Sequence, residues 1–72
     1  MKSYELKDIV AAGGSIIVNA TNYKGYELKD IAAAGVPKNG KLLIKKADIL
    51  KGYECKDIAA ANPGNVTFDF SE

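Results

Sequence analysis

Hydrophobic residues at helical spacing occur in three segments of the chain. In the first segment, Leu6 is followed by Ile9 and Val10, so the three side chains share one face of a helix. The pattern predicts three amphipathic helices of about ten residues, and helices this short need tertiary packing to be stable in water. The corresponding apolar residues of the other two segments are Leu28 with Ile31 and Cys55 with Ile58.

A segment rich in residues that favour strands follows each predicted helix. These segments are Ser15–Ala20, Lys41–Lys46 and Val66–Phe70. Strands that are joined by helices pair in parallel through right-handed crossovers. The sequence therefore predicts an α/β fold, in which three helix-strand repeats form a small three-stranded parallel sheet with the helices on one face.

The predicted helices are copies of one motif. Ser3–Gly13, Gly25–Gly35 and Gly52–Asn62 share the pattern Tyr-Glu-x-Lys-Asp-Ile-x-Ala-Ala, and their tyrosines stand 22 and 27 residues apart. We attribute the longer interval to a turn-forming insert at Val36–Gly40. Self-similarity at such a period is typical of repeat architectures. We predict one domain spanning residues 1–72, with repeats at approximately 3–24, 25–51 and 52–72.

Residues that commonly cap helices flank each copy of the motif. Serine or glycine at its first position can act as an N-cap. Glycine or asparagine at its last position can adopt the left-handed conformation that ends a helix. The predicted N-caps are Ser3, Gly25 and Gly52, and the predicted C-terminal caps are Gly13, Gly35 and Asn62.

The middle repeat also carries a leucine-rich-repeat-like pattern. Residues 42–49 have the form Leu-x-Ile-x-x-Ala-x-Ile, which resembles the leucine-rich-repeat pattern with Ala47 in place of its asparagine. Ile17 and Ala20 repeat part of it. The resemblance implies an α/β solenoid whose strands line a protein-binding surface, and it assigns no particular binding residue.

Composition narrows the classes of partner and cofactor. The 72 residues carry a net charge of +1, without the basic excess that is typical of nucleic-acid-binding proteins. A single cysteine and no histidine exclude an internal disulfide and ordinary Cys/His zinc sites. No apolar run approaches the roughly 20 residues of a membrane span, and the N-terminus lacks the apolar run of a signal peptide. We expect a soluble, cytoplasmic protein without cofactors, membrane contacts or nucleic-acid partners.

The chain offers no recognisable catalytic constellation. Cys55 stands where the other copies have leucine, which predicts a core position, and no histidine is present to activate it. The glycines of Gly13–Ser15 lie between helix and strand, whereas a phosphate-binding loop has the reverse order. We therefore predict that the protein is not an enzyme.

The uncovered face of the sheet is the predicted functional surface. Parallel sheets are rarely left open on one side, and exposed apolar patches often mark interfaces. We predict self-association, or binding of another protein, through this face or through the sheet edges. With Ile17, Leu42, Ile44, Val66 and Phe68 directed toward the helices, the candidate interface residues are Ile16, Val18, Leu43 and Lys45.

An anionic or phosphate-bearing small ligand is the alternative partner. The helix N-termini near Gly25 and Gly52 present free backbone N–H groups, which favour anions. A row of tyrosines and aspartates on the helices offers another candidate ligand surface, although repeat stacking and solvation also explain those residues. The lysines that would assist anion binding are Lys38, Lys41, Lys45, Lys46 and Lys51.

Overall fold

The computed structural model describes residues 1–71, so Glu72, at the end of the third predicted repeat, lies outside the described residues. Helices and strands alternate throughout the described chain. The helices are α1 (Ser3–Ala11), α2 (Gly25–Ala34) and α3 (Gly52–Ala61), and the strands are β1 (Ser15–Asn19), β2 (Lys41–Lys45) and β3 (Val66–Phe68).

The three strands form one sheet in the order β1-β2-β3, and both strand pairs are parallel. Helix α2 packs between α1 and α3, so the helices follow the same order as the strands. The predicted α/β fold is confirmed. The sheet is not curled into a solenoid, so the curvature implied by the leucine-rich-repeat resemblance is absent.

The strand register decides which side chains face the helices. Ile16 lies beside Leu42 and Val18 lies beside Ile44, and all four belong to the core or pack against it. Ile17 instead lies beside Leu43 on the uncovered face and is 65% exposed. The prediction for β1 was therefore wrong by one residue. A one-residue shift moves every side chain of a strand to the opposite face.

The core lies between the helix layer and this inner face of the sheet. Its center is formed by the middle repeat, which has a neighbour on each side, and both outer repeats contribute to it. The largest fully buried side chains are Leu28, Ile31, Ile44, Ile58 and Val10.

The N-cap of each helix lies one residue before the predicted N-cap. The N-cap residues are extended lysines, and the predicted N-caps are the first helical residues. A glutamate three residues later accepts a hydrogen bond from the N-cap backbone N–H. This is the glutamate half of a capping box. The pairs are Lys2 with Glu5 at 2.9 Å, Lys24 with Glu27 at 2.8 Å and Lys51 with Glu54 at 2.9 Å.

Only one of the three predicted left-handed helix ends is present. Gly13 has a φ of +97°, whereas Gly35 stays right-handed at −80° and Asn62 has a negative φ of −152°. After α2 the chain continues directly into a 3-10 turn, Val36–Lys38, and reverses only at Asn39, where φ is +57°. Asn62 ends α3 by side-chain hydrogen bonding instead.

The extra length of the middle repeat is divided between two places. From Tyr4 to the start of β1 is 11 residues, and from Tyr26 to the start of β2 is 15. The predicted insert before β2 therefore accounts for all but one of the extra residues. The remaining one is Lys46, which follows β2 in a left-handed conformation with φ +56°.

Within residues 1–71, no helix combines the length and the apolar composition that crossing a membrane would require.

Candidate interaction surfaces of the sheet

The uncovered face of the sheet carries a short apolar row. Ile17, Leu43 and Thr67 lie side by side across the three strands. Ile17 is 65% exposed, and Leu43, in the central strand, is half-buried. Together with Ser15 and Lys41 they line an open groove. This face therefore presents apolar side chains to solvent.

The four candidate interface residues are divided between the two faces. Leu43 and Lys45 lie on the uncovered side, in the alternating positions of β2 that were predicted to face outward. Ile16 and Val18 lie on the helix side, where Val18 is only 8% exposed. For these two the predicted placement was wrong. The prediction omitted Ile17 from the interface. Ile17 lies on the uncovered face together with the polar residues Ser15 and Asn19.

Within residues 1–71, the outer edge of β1 pairs with no other strand. Lys41 donates its backbone N–H to the Gly14 carbonyl, which fixes the phase of the parallel ladder. In a parallel pair, alternate residues of a strand bond to the neighbouring strand. The backbone groups of Ile16 and Val18 therefore bond to β2, whereas those of Ser15, Ile17 and Asn19 point away from the sheet. The strand has no charged residue, proline or glycine. An uncharged, unpaired edge of this kind is a template for pairing with another chain.

The other edge, along β3, is shorter. Strand β3 has three residues, and Leu42 donates its N–H to the Asn65 carbonyl just before it begins. This phase directs the backbone groups of Val66 and Phe68 outward. Phe68 also stacks on Phe70, with the ring centroids 6.1 Å apart. In the part of the chain that the structure describes, both edges of the sheet thus carry backbone groups that bond to no other strand.

Two similar side-chain turns follow the outer strands. The Asn19 side-chain oxygen accepts hydrogen bonds from the N–H and hydroxyl of Thr21, at 2.9 and 2.7 Å. Asp69 accepts the same pair from Ser71, with the backbone N–H at 2.9 Å. These hydrogen bonds from Ser71 lower the pKa of the Asp69 carboxyl below its usual value. Asp69 is therefore an anion at neutral pH.

A shallow groove lies at the carboxyl ends of the three strands. Asn19, Lys45, Lys46, Asp69 and Ser71 line it. Its two lysines belong to the predicted basic cluster, all of whose members are exposed. The groove combines cations with the carboxylate of Asp69, so its charge does not select for anions alone.

The helix N-termini are already occupied by acidic side chains. The Glu27 and Glu54 carboxylates lie over the first turns of α2 and α3 and accept the N-cap hydrogen bonds. A bound anion there would be repelled by these carboxylates. The arrangement thus argues against the alternative of an anion-binding protein.

The repeated tyrosines lie on the outer surface of the helix layer. Tyr4, Tyr26 and Tyr53 are 59%, 64% and 65% exposed. Tyr26 and Tyr53 border an open groove between α2 and α3, to which α2 contributes Lys29 and α3 contributes Asp57. The groove is therefore bordered by opposite charges from neighbouring repeats.

Cys55 is partly exposed, although its counterpart Leu28 is fully buried. Partial burial and the negative charge of Glu54 both raise the pKa of the Cys55 thiol. The thiol is therefore protonated at neutral pH, which makes it a poor nucleophile. Nowhere in residues 1–71 do three or more cysteine, aspartate or glutamate side chains group to hold a metal ion.

The fold and the surfaces of the sheet are the basis on which a function can be proposed. No protein-family model matches the chain, and neither the curated proteins nor the solved structures include a significant match.

Proposed function

We propose that the chain is a non-enzymatic interaction module that associates with further copies of itself through its sheet. The observation that carries the proposal is the free edge of β1, where an uncharged strand of five residues leaves the backbone groups of Ser15, Ile17 and Asn19 unpaired. Pairing such an edge satisfies several backbone hydrogen bonds at once. The exposed Ile17 side chain adds apolar surface at the same place.

Size provides a second argument for a partner. A domain of about 60–70 residues buries only about 60% of the surface that its unfolded chain exposes. The free cysteine forms no disulfide, and the described residues hold no group of metal ligands. Association through the sheet would bury additional apolar surface, which stabilises the folded chain by mass action.

A substitution at the exposed edge tests the proposal. Ile17→Lys places a charge on an edge strand and should weaken self-association by tenfold or more, because a charged side chain on an edge strand opposes its pairing with another strand. Sedimentation velocity over a dilution series measures the dissociation constant. Circular dichroism checks that the fold is retained.

Ile49→Lys is the matched control, because Ile49 is 55% exposed and lies outside the strands. It should leave the dissociation constant unchanged. A wild-type chain that remains monomeric at high micromolar concentration would contradict the proposal. So would equal effects of the two substitutions.

A further inference from the structure

The two ends of the repeat array expose positions that the internal boundaries bury. Ile9 is 37% exposed, whereas its counterparts Ile31 and Ile58 are 0% and 1% exposed. The difference between these copies is that α2 and α3 each have a preceding helix and α1 has none. Ile9 therefore marks the surface on which a preceding repeat would pack.

The opposite end shows the complementary difference. Leu6 and Leu28 are 6% and 0% exposed, and each has a following helix, whereas Cys55 at the same position is partly exposed. A Cβ atom added at Gly25 would meet the Glu54 carboxylate of the following helix, but one added at Gly52 would meet nothing within 4 Å. Helix α3 thus presents a surface on which a following repeat would pack.

Charges on the two ends match those across the internal boundary. Between α2 and α3, Lys29 borders the same groove as Glu54 and Asp57. The counterpart of Lys29 on the outer side of α3 is Lys56. On the outer side of α1, the counterparts of the two acids are Glu5 and Asp8. The two ends are therefore oppositely charged where they would meet.

The strand edges are compatible with the same arrangement. Ile16 lies beside Leu42, which in turn lies beside Val66. Continuing this register would place Val66 of one copy beside Ile16 of the next. The outward backbone groups of Val66 and Phe68 would then alternate with those of Ser15 and Ile17, as a parallel ladder requires.

We infer that the chain associates head to tail, with the α3/β3 end of one copy packed on the α1/β1 end of the next. This inference rests on the proposed self-association and specifies its geometry. The sheet would continue as a parallel sheet across the boundary, and the helix layer would continue with it. Because each copy keeps one free end of each kind, association would proceed beyond the dimer.

Two variants, each with a charge reversed at one end, test this geometry. Asp8→Lys reverses a charge at the α1/β1 end, and Lys56→Glu reverses a charge at the α3/β3 end; both side chains are exposed, so both variants should fold. In each variant, both ends of the chain then carry charge of the same sign where two copies would meet. Each alone should associate at least tenfold more weakly than the wild type. An equimolar mixture should regain association beyond the dimer, which sedimentation velocity can resolve. Lys56 of Asp8→Lys then faces Asp8 of Lys56→Glu, and the two exchanged charges face each other at the alternate boundary.

Asp48→Lys is the control, because it makes the same charge change at an exposed position outside both ends. It should associate like the wild type. If the wild type associates but both end variants do so equally well, or if their mixture remains monomeric, the head-to-tail geometry is wrong and the proposed function stands. If the wild type does not associate, both are wrong.

Discussion

At the residue scale, the hydrophobic pattern of β1 does not determine which of its side chains face the helices. The strand has three consecutive apolar residues, which give no alternation. The polar residues at the two ends of the strand indicate which face is exposed to solvent. In the structure, Ser15 and Asn19 lie on the same uncovered face of the sheet as Ile17.

Asp69 provides a residue-scale prediction about pH. Its folded-state pKa is lowered by Ser71, so the stability it contributes is present above its unfolded pKa and is lost as pH falls through the folded value. Asp69→Asn keeps the acceptor oxygen, as Asn19 does with Thr21, but does not titrate. The variant should lose less unfolding free energy than the wild type between pH 6 and pH 2.5.

Urea unfolding of both proteins at several pH values measures this difference. The two proteins differ at this one residue, so the difference between their pH profiles reports the contribution of Asp69. Ser71→Ala is a second check, because it should raise the Asp69 pKa toward its usual value in an NMR titration. Parallel pH profiles for the wild type and Asp69→Asn would show that this turn makes no pH-dependent contribution.

At the element scale, helix and strand types were predictable, whereas the exact helix ends were not. Periodic apolar residues identified all three helices, because packing against the sheet follows directly from that pattern. The N-caps were displaced by one residue, because the glutamate that satisfies the N-cap backbone N–H fixes the start of each helix. The C-terminal ends depend on contacts with other repeats.

Asn62 is the clearest of these contacts. It is 4% exposed, and its side-chain nitrogen donates to the Gly40 carbonyl at 3.0 Å, which ties the end of α3 to the turn before β2. Its oxygen accepts a hydrogen bond from Asn65 at 2.9 Å. The other two copies have glycine at this position, so these two side-chain hydrogen bonds are specific to the third copy.

Asn62→Ala should therefore destabilise the fold by about 1–3 kcal/mol, because it removes both bonds of a buried polar group. Chemical denaturation gives the free energy of unfolding. The exposed Asn22→Ala should change it by less than about 0.5 kcal/mol. An equally small effect at Asn62 would mean that the link between α3 and the turn makes no net contribution to stability.

At the scale of the whole molecule, the repeat determined most of what could be predicted. Three equivalent helix-strand units imply a parallel sheet with its strands in chain order, and that is the observed topology. The repeat also implies that internal boundaries resemble one another, but it does not imply how strongly the sheet curves. Curvature depends on the packing of each helix against its neighbours, which is why the solenoid expectation was wrong.

The exposed ends of this array are the basis of the self-association proposal, and hydrogen exchange at Ile17 tests it most directly. In the single chain the Ile17 backbone N–H points away from β2, whereas those of Ile16 and Val18 bond to it. Exchange at Ile17, measured by NMR, should be fast in dilute solution and should slow at high protein concentration. Ile16 and Val18 should be protected at every concentration. An Ile17 amide that exchanges equally fast throughout would contradict pairing of this edge with a second copy.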